Sequence, residues 1–200
     1  MRRIDALREA VQSLYVQKQP ERADWCDWMY EHHVFLVASN AKRLAEKYEA
    51  DVDLAEAAAL LHDIADAIMP RSNPKHEEES LRIARKLLSE NGYNTDEIAL
   101  VVDDAILLHS CHNGQQPKSK EGLILATADS MAHLQSDFYP LATLALGQRN
   151  TSIESMKQWV LQKIERDLNA KISFDDEREA ARHSYDIIKE LYSRESSRTS

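Results

Sequence analysis

Glycine and proline are nearly missing from this chain: its 200 residues hold four Gly and five Pro. Against abundant Ala, Leu, Glu and Lys, that scarcity predicts an all-α fold. Cysteine is as rare, and Cys26 and Cys111 make no metal-type pair in sequence. No run of about 20 apolar residues is present, which argues against a spanning helix, and nothing resembles a signal peptide. The expectation is a cytoplasmic, disulfide-free protein that does not enter a membrane. Net positive charge is lacking too. A formal charge of -9 disfavours nucleic acid and anionic membrane surfaces as partners unless cations gather locally. A bound metal would reverse the local sign. At this length one globular domain is expected.

Apolar spacing places the helices. Ile4, Leu7, Val11, Leu14 and Tyr15 recur at helical spacing over residues 4–18, which Pro20 closes. A second helix is predicted over 23–48 and a third over 53–68, ended by Pro70 and the "RSNP" loop. The fourth begins near Pro74 or His76, carries Leu81, Ile83, Ala84, Leu87 and Leu88, and ends at "ENGYN", where Gly92 fits a C-terminal cap. A fifth over 95–109 stops before "CHNGQQP", and a sixth spans 120–136. Two more follow. "TSIE", from Thr151 to Glu154, has the form of a capping box ahead of the stripe Ile153, Met156, Val160, Ile164 and Leu168. The last, over 174–192, aligns Ala181, Tyr185, Ile188 and Tyr192. The terminal "SRESSRTS" is expected to be disordered.

Polar residues inside the apolar stripes carry the chemistry. His33 shares its face with Val37, Ala41 and Leu44, whereas His32 shares one with Leu36, Ser39 and Arg43, so His33 is the inward histidine. Taken alone it is either a core histidine bonded to a carbonyl or a ligand. "AALLHDIADA" places His62 and Asp63 side by side in a greasy helix, where an unpaired ionised carboxylate costs several kcal/mol. Side chains about 100° apart could approach one ion from two sides. Asp66, four residues after His62, is either an ordinary surface acid or a group acting near that ion, orienting the imidazole or accepting a proton from water. "LILATADSMAHL" repeats the oddity with Asp129, whose partner could be His133 four residues on. Two helices each burying an acid, beside two inward histidines, are more simply met by one shared metal than by separate local solutions.

These segments resemble a family. His33 followed by Val37 and Ala41, then "AAALLHD", then a distant Asp in "ATADSM", is similar to the HD-domain superfamily of metal-dependent phosphohydrolases over about residues 25–136. The resemblance implies a helical bundle in which His33, His62, Asp63 and Asp129 hold a metal. It divides the chain into an N-terminal helix (1–24), the metal-binding core (25–136), additional C-terminal helices packed on it (137–195) and a disordered tail (196–200). The C-terminal part either packs as extra helices or makes a dimer surface. Relatives with two metals carry further histidines, and His76 in "PKHEEES" with His109 in "AILLHS" fits that arrangement, Asp63 bridging. The alternative is a first-turn polar residue and a solvated helix end. His112 could substitute for His109 or bind a phosphate.

A nitrogen and oxygen ligand set without thiolate suits iron, manganese, cobalt, nickel or zinc, one or two ions per chain. Such a centre lowers the pKa of a water and neutralises charge on a phosphoryl oxygen. Asp66 stands where relatives carry a Lys or an acid, which implies a general base or acid there, with Asp63, and leaves phosphate contacts to Arg71, Lys75, Lys118 and Lys120, or these are plain surface charge. The expected activity is hydrolysis of a small phosphate ester, a nucleotide by preference. Two other readings stand beside it: a di-iron oxygenase on the same scaffold, and a non-catalytic ligand-binding HD module. The intact set His33, His62, Asp63 and Asp129 argues against the module.

Overall fold

A computed structural model describes residues 2–22, 25–148 and 151–194. Ala23, where the second helix was expected to start, and the expected tail 196–200 lie outside those residues. Among the described residues there are nine helices and no strand. Helix α1 (Arg3–Val16) buries Ile4, Leu7, Val11 and Tyr15. Helix α2 runs over 26–47, as Cys26–Trp28, a π-helical turn Met29–Val34 and Phe35–Lys47. Helix α3 is Val52–Leu61, capped by the Asp51 side chain, which accepts from Leu54 N at 3.0 Å.

The third helix ends sooner than its apolar run predicts. His62 closes α3, Asp63 leaves the helical region at φ -129° and ψ 35°, and a 3-10 turn follows at Ile64–Ala67. Tertiary contact sets this break, because Ser80 Oγ accepts from Ala65 N at 3.2 Å. The turn swings the Asp63 carboxylate away from the direction a continuous helix would give it.

Helix α4 (His76–Glu90) ends as "ENGYN" predicts. Tyr93 N donates to Leu88 O at 3.1 Å and Gly92 N to Ser89 O at 3.3 Å, with Gly92 at φ +83°. Among the described residues nothing lies within 4 Å of a Cβ built on Gly92, so a side chain there would meet only backbone strain. Gly92→Ala is therefore expected to lower stability by about 1–2 kcal/mol without changing metal binding, as read by urea unfolding and metal titration.

Helix α5 covers 95–106, as Thr95–Ala99 and a π-helical stretch Leu100–Ile106, started by a capping box between Asn94 and Glu97. Helix α6 (Lys120–Leu134) is buried at every position from 124 to 134 and packs on α2, α3 and the π stretch of α5. A helix buried all round belongs at the centre of a bundle, and it carries Asp129 and His133 there.

Helix α7 (Phe138–Gln148) has no counterpart in the sequence reading. Pro140 reads as a breaker, yet it lies in the first turn, where a missing N–H costs no helical bond. Helix α8 runs over 153–171, as Ile153–Arg166 and a π-helical turn Asp167–Lys171. Its cap is Ser152, whose Oγ accepts from Ser155 N at 3.1 Å, one residue later than the expected Thr151 box. Thr151 N is held instead by Leu146 O at 3.3 Å. Helix α9 (Asp175–Ser193) packs with α8 against α6. The core runs from Ile4 to Tyr185, both cysteines are free, and among the described residues no helix is long and apolar enough to cross a membrane.

Candidate metal centre

Three elements bring His33, His62 and Asp129 together. One ligand atom from each lies within 4.8 Å of the others, and all three residues are buried. His33 sits in the π-helical turn of α2, facing inward with Val37, Ala41 and Leu44 as its spacing predicts, while His32 is exposed. His62 Nδ1 lies 2.8 Å from Ala59 O. A carbonyl can only accept, so Nδ1 carries the proton and the lone pair of Nε2 is left facing the centre.

That lone pair has no partner among the described residues. His62 Nε2 and both ring nitrogens of His33 are buried without a hydrogen bond among the described residues, although buried polar groups normally find one. Asp129 Oδ1 is where they converge: 3.1 Å from His33 Nε2, 3.8 Å from His62 Nε2 and 3.3 Å from His133 Nε2. Two orphaned imidazole nitrogens and a carboxylate oxygen make a donor set that fits a divalent ion.

A second layer surrounds this cluster. His133 Nδ1 lies 3.2 Å from Asp167 Oδ2, which also accepts from the Tyr139 hydroxyl. Lys171 Nζ is bonded to the other oxygen of Asp129, and Lys163 Nζ lies 3.2 Å from His133 Nδ1. Asp167 and Lys171 come from the π-helical turn that ends α8. Tyr139, Lys163, Asp167 and Lys171 are not among the site residues the sequence points to. The one available signal was an acid, Asp167, beside Ile164 and Leu168 on an apolar stripe, with lysines four residues away on each side.

The remaining expected residues divide. Asp63 Oδ2 accepts from Arg71 Nη2 at 2.6 Å and lies 3.6 Å from His62 Nε2. Asp66 is nearly fully buried, not a surface acid; it accepts from Arg71 Nη2 at 2.7 Å and from Nε at 3.0 Å, and its Oδ1 is 2.9 Å from His76 Nε2. His109 Nδ1 lies 2.6 Å from Ile106 O, which leaves its Nε2 lone pair free, with its ring 5.4 Å from that of His62. Arg71, His76, His109 and His112 line a cavity of about 500 Å3 that opens onto the cluster. Lys75 and Lys118 are exposed and outside its walls, and Lys120 Nζ is bonded to Tyr48 O at 2.9 Å.

Burial and charge set the protonation states. Burial holds His33 below its ordinary value, His109 at about 4 and His133 at about 3, against the pull of neighbouring carboxylates. For Asp63 burial acts upward, but Arg71 with the nearby histidines outweighs it and holds the acid well down. Asp129 is likewise held low, by His133 and Lys171 against burial. His33, His109 and His133 are thus neutral near pH 7, the form of an imidazole that binds metal.

Their depressed values predict acid sensitivity. Below about pH 6.5 the unfolded chain protonates histidines that the folded chain keeps neutral, so stability is lost as pH falls from that point toward about 4 and lower. Urea unfolding of metal-free protein should show a steady loss over that window. Constant stability across it would contradict the assignment.

Comparison with known proteins comes from two directions. The family model described as HD domain matches residues 30–134, more than half of the chain. Among solved structures, the chain is similar to a predicted HD superfamily hydrolase from an uncultured Thermotogales bacterium (21% identity, TM-score 0.59, covering 95% of this chain and 89% of that one). It is also similar to Bacillus subtilis YpgQ (21% identity, TM-score 0.64, 94% and 92%). At that identity the two structures speak to the fold. No match is found among curated proteins.

Proposed function

The chain belongs to the HD domain family, and from that premise we propose that it is a metal-dependent phosphohydrolase acting on a small phosphate ester, a nucleotide by preference. The observation that carries the reading is the convergence of orphaned His33 and His62 nitrogens on Asp129 Oδ1. A divalent ion held there would supply a water of lowered pKa and a charge to offset that growing on the phosphoryl oxygens.

The protein's own groups do the rest. Ala59 O fixes the His62 tautomer, and Lys171 with the His133–Asp167 pair fixes the Asp129 carboxylate. Arg71 Nη1 makes no hydrogen bond among the described residues, while Nη2 and Nε are anchored on Asp63 and Asp66. It is therefore a cation pre-aimed at the cavity, suited to one phosphoryl oxygen. Asp66 is the anchor of Arg71 and His76; acting as a base would require it to give up one of them. With Asp63 and Asp66 engaged by Arg71, and His76 Nε2 by Asp66, the arrangement favours one ion over two, since a second at Asp63, His76 and His109 would have to displace the guanidinium.

The test is hydrolysis of a panel of nucleotides and of p-nitrophenyl phosphate by metal-free protein, before and after manganese, cobalt or iron is added. Phosphate release that appears only with metal is expected. No release from any ester with any of these ions would overturn the proposal.

A further inference from the structure

A smaller cavity of about 170 Å3 adjoins the main one, and Arg71, Trp159 and Lys163 line both. Away from those shared residues its walls are apolar: Trp25 at the start of α2, and Phe138, Ala142, Ala145 and Leu146 of α7. The larger cavity alone has the size of a small-molecule site, and the two present different chemistry to one ligand. Toward the metal cluster the surface is imidazole, carboxylate and cation. Beyond Arg71 and Lys163 it is two indoles and a phenyl ring.

The aromatic wall is tied to the cluster. Phe138 packs its ring 4.0 Å from that of His133, centroid to centroid, and Lys163 Nζ lies 5.5 Å from its centre. Neither the Trp25 nor the Trp159 indole N–H donates to a protein acceptor among the described residues, so each could serve a ring nitrogen or carbonyl of a ligand. Except for Trp25 and Arg71, every residue of this pocket comes from α7 and α8, beyond the residues 30–134 that the family model matches.

Resting on the phosphohydrolase reading, we propose that this pocket seats the flat, apolar ring of the substrate while Arg71 and Lys163 hold its phosphate toward the metal cluster. The substrate class is then a phosphate ester carrying a planar heterocycle within reach of its phosphate, and Trp159, Trp25 and Phe138 decide selectivity between such esters and those without a ring.

Binding separates this from the reaction itself. Metal-loaded full-length protein is titrated calorimetrically with a nucleoside 5′-phosphonate, which cannot be hydrolysed at phosphorus, and with methylphosphonate. The nucleoside ligand should bind at least about tenfold tighter, the scale of one base stacked on an aromatic ring. Trp159→Leu should bring the ratio to within about twofold, and so should Ala145→Trp, which fills the pocket without removing a packed side chain. Near-equal binding by the wild type, or a ratio that survives both variants, would overturn the inference and leave the proposed function standing. Binding of neither ligand would overturn the proposed function and this inference together.

Discussion

Asp129→Asn is expected to abolish metal binding and to destabilise the metal-free protein by about 3–5 kcal/mol, the usual cost of removing one partner of a buried ion pair. Both effects follow from the two oxygens of Asp129. Oδ1 faces His33, His62 and His133, and Oδ2 is bonded to Lys171, with all of these side chains buried. An amide has no charge to offer either side. Among the described residues, the ammonium of Lys171 would be left buried with only Asp167, 3.9 Å away, as counter-charge. A second change separates the two losses. Asp129→Asn combined with Lys171→Met removes the whole pair, which is often close to neutral for stability, so unfolding free energy should largely recover while metal binding does not. If the single variant unfolds like wild type, the pairing drawn here is wrong.

Arg71→Met should also cost the metal-free protein about 3–5 kcal/mol at neutral pH. The guanidinium joins Asp63 and Asp66, two buried or half-buried acids, and no Lys or other Arg among the described residues lies within ion-pair reach of Asp63. The sign with pH follows from Asp63, whose folded value is depressed. Its contribution is full above the ordinary carboxylate range, near 4, and is lost as pH falls through the folded value. The gap between wild type and variant should therefore be widest near neutrality and narrow in acid. Added manganese should restore part of the loss, because a divalent ion beside Asp63 would replace the missing cation. A gap that ignores both pH and metal would show that Arg71 acts through packing alone.

Much of this candidate site is legible in the sequence. His33 declared itself by the company on its helical face, and Asp129 by its position in an apolar run; both are buried where that reasoning puts them. His62 and Asp63 were visible for the same reason, a charge where apolar side chains prevail. Local signals also marked the ends of helices: Gly92 permits the left-handed residue that closes α4.

The hidden parts depend on tertiary contact. The π-helical turns at Met29–Val34, Leu100–Ile106 and Asp167–Lys171 shift the helical period, and no residue type signals such a shift. One of them carries His33 and another carries Asp167 and Lys171. The break after His62 depends on Ser80, fifteen residues from Ala65. Helix α7 hid behind Pro140. For the aromatic residues, the sequence could not distinguish core packing from a pocket wall, and Trp159 and Phe138 serve both purposes in the fold.

The central claim is that His33, His62 and Asp129 hold a divalent ion, and elemental analysis tests it most directly. Protein purified without chelator or metal-binding tag is analysed beside folded His62→Ala and His76→Ala variants. One ion per chain in the wild type, retained in His76→Ala and lost in His62→Ala, is the predicted result. A wild-type protein that carries no metal, even after reconstitution with manganese, iron, cobalt, nickel and zinc in turn, would contradict it.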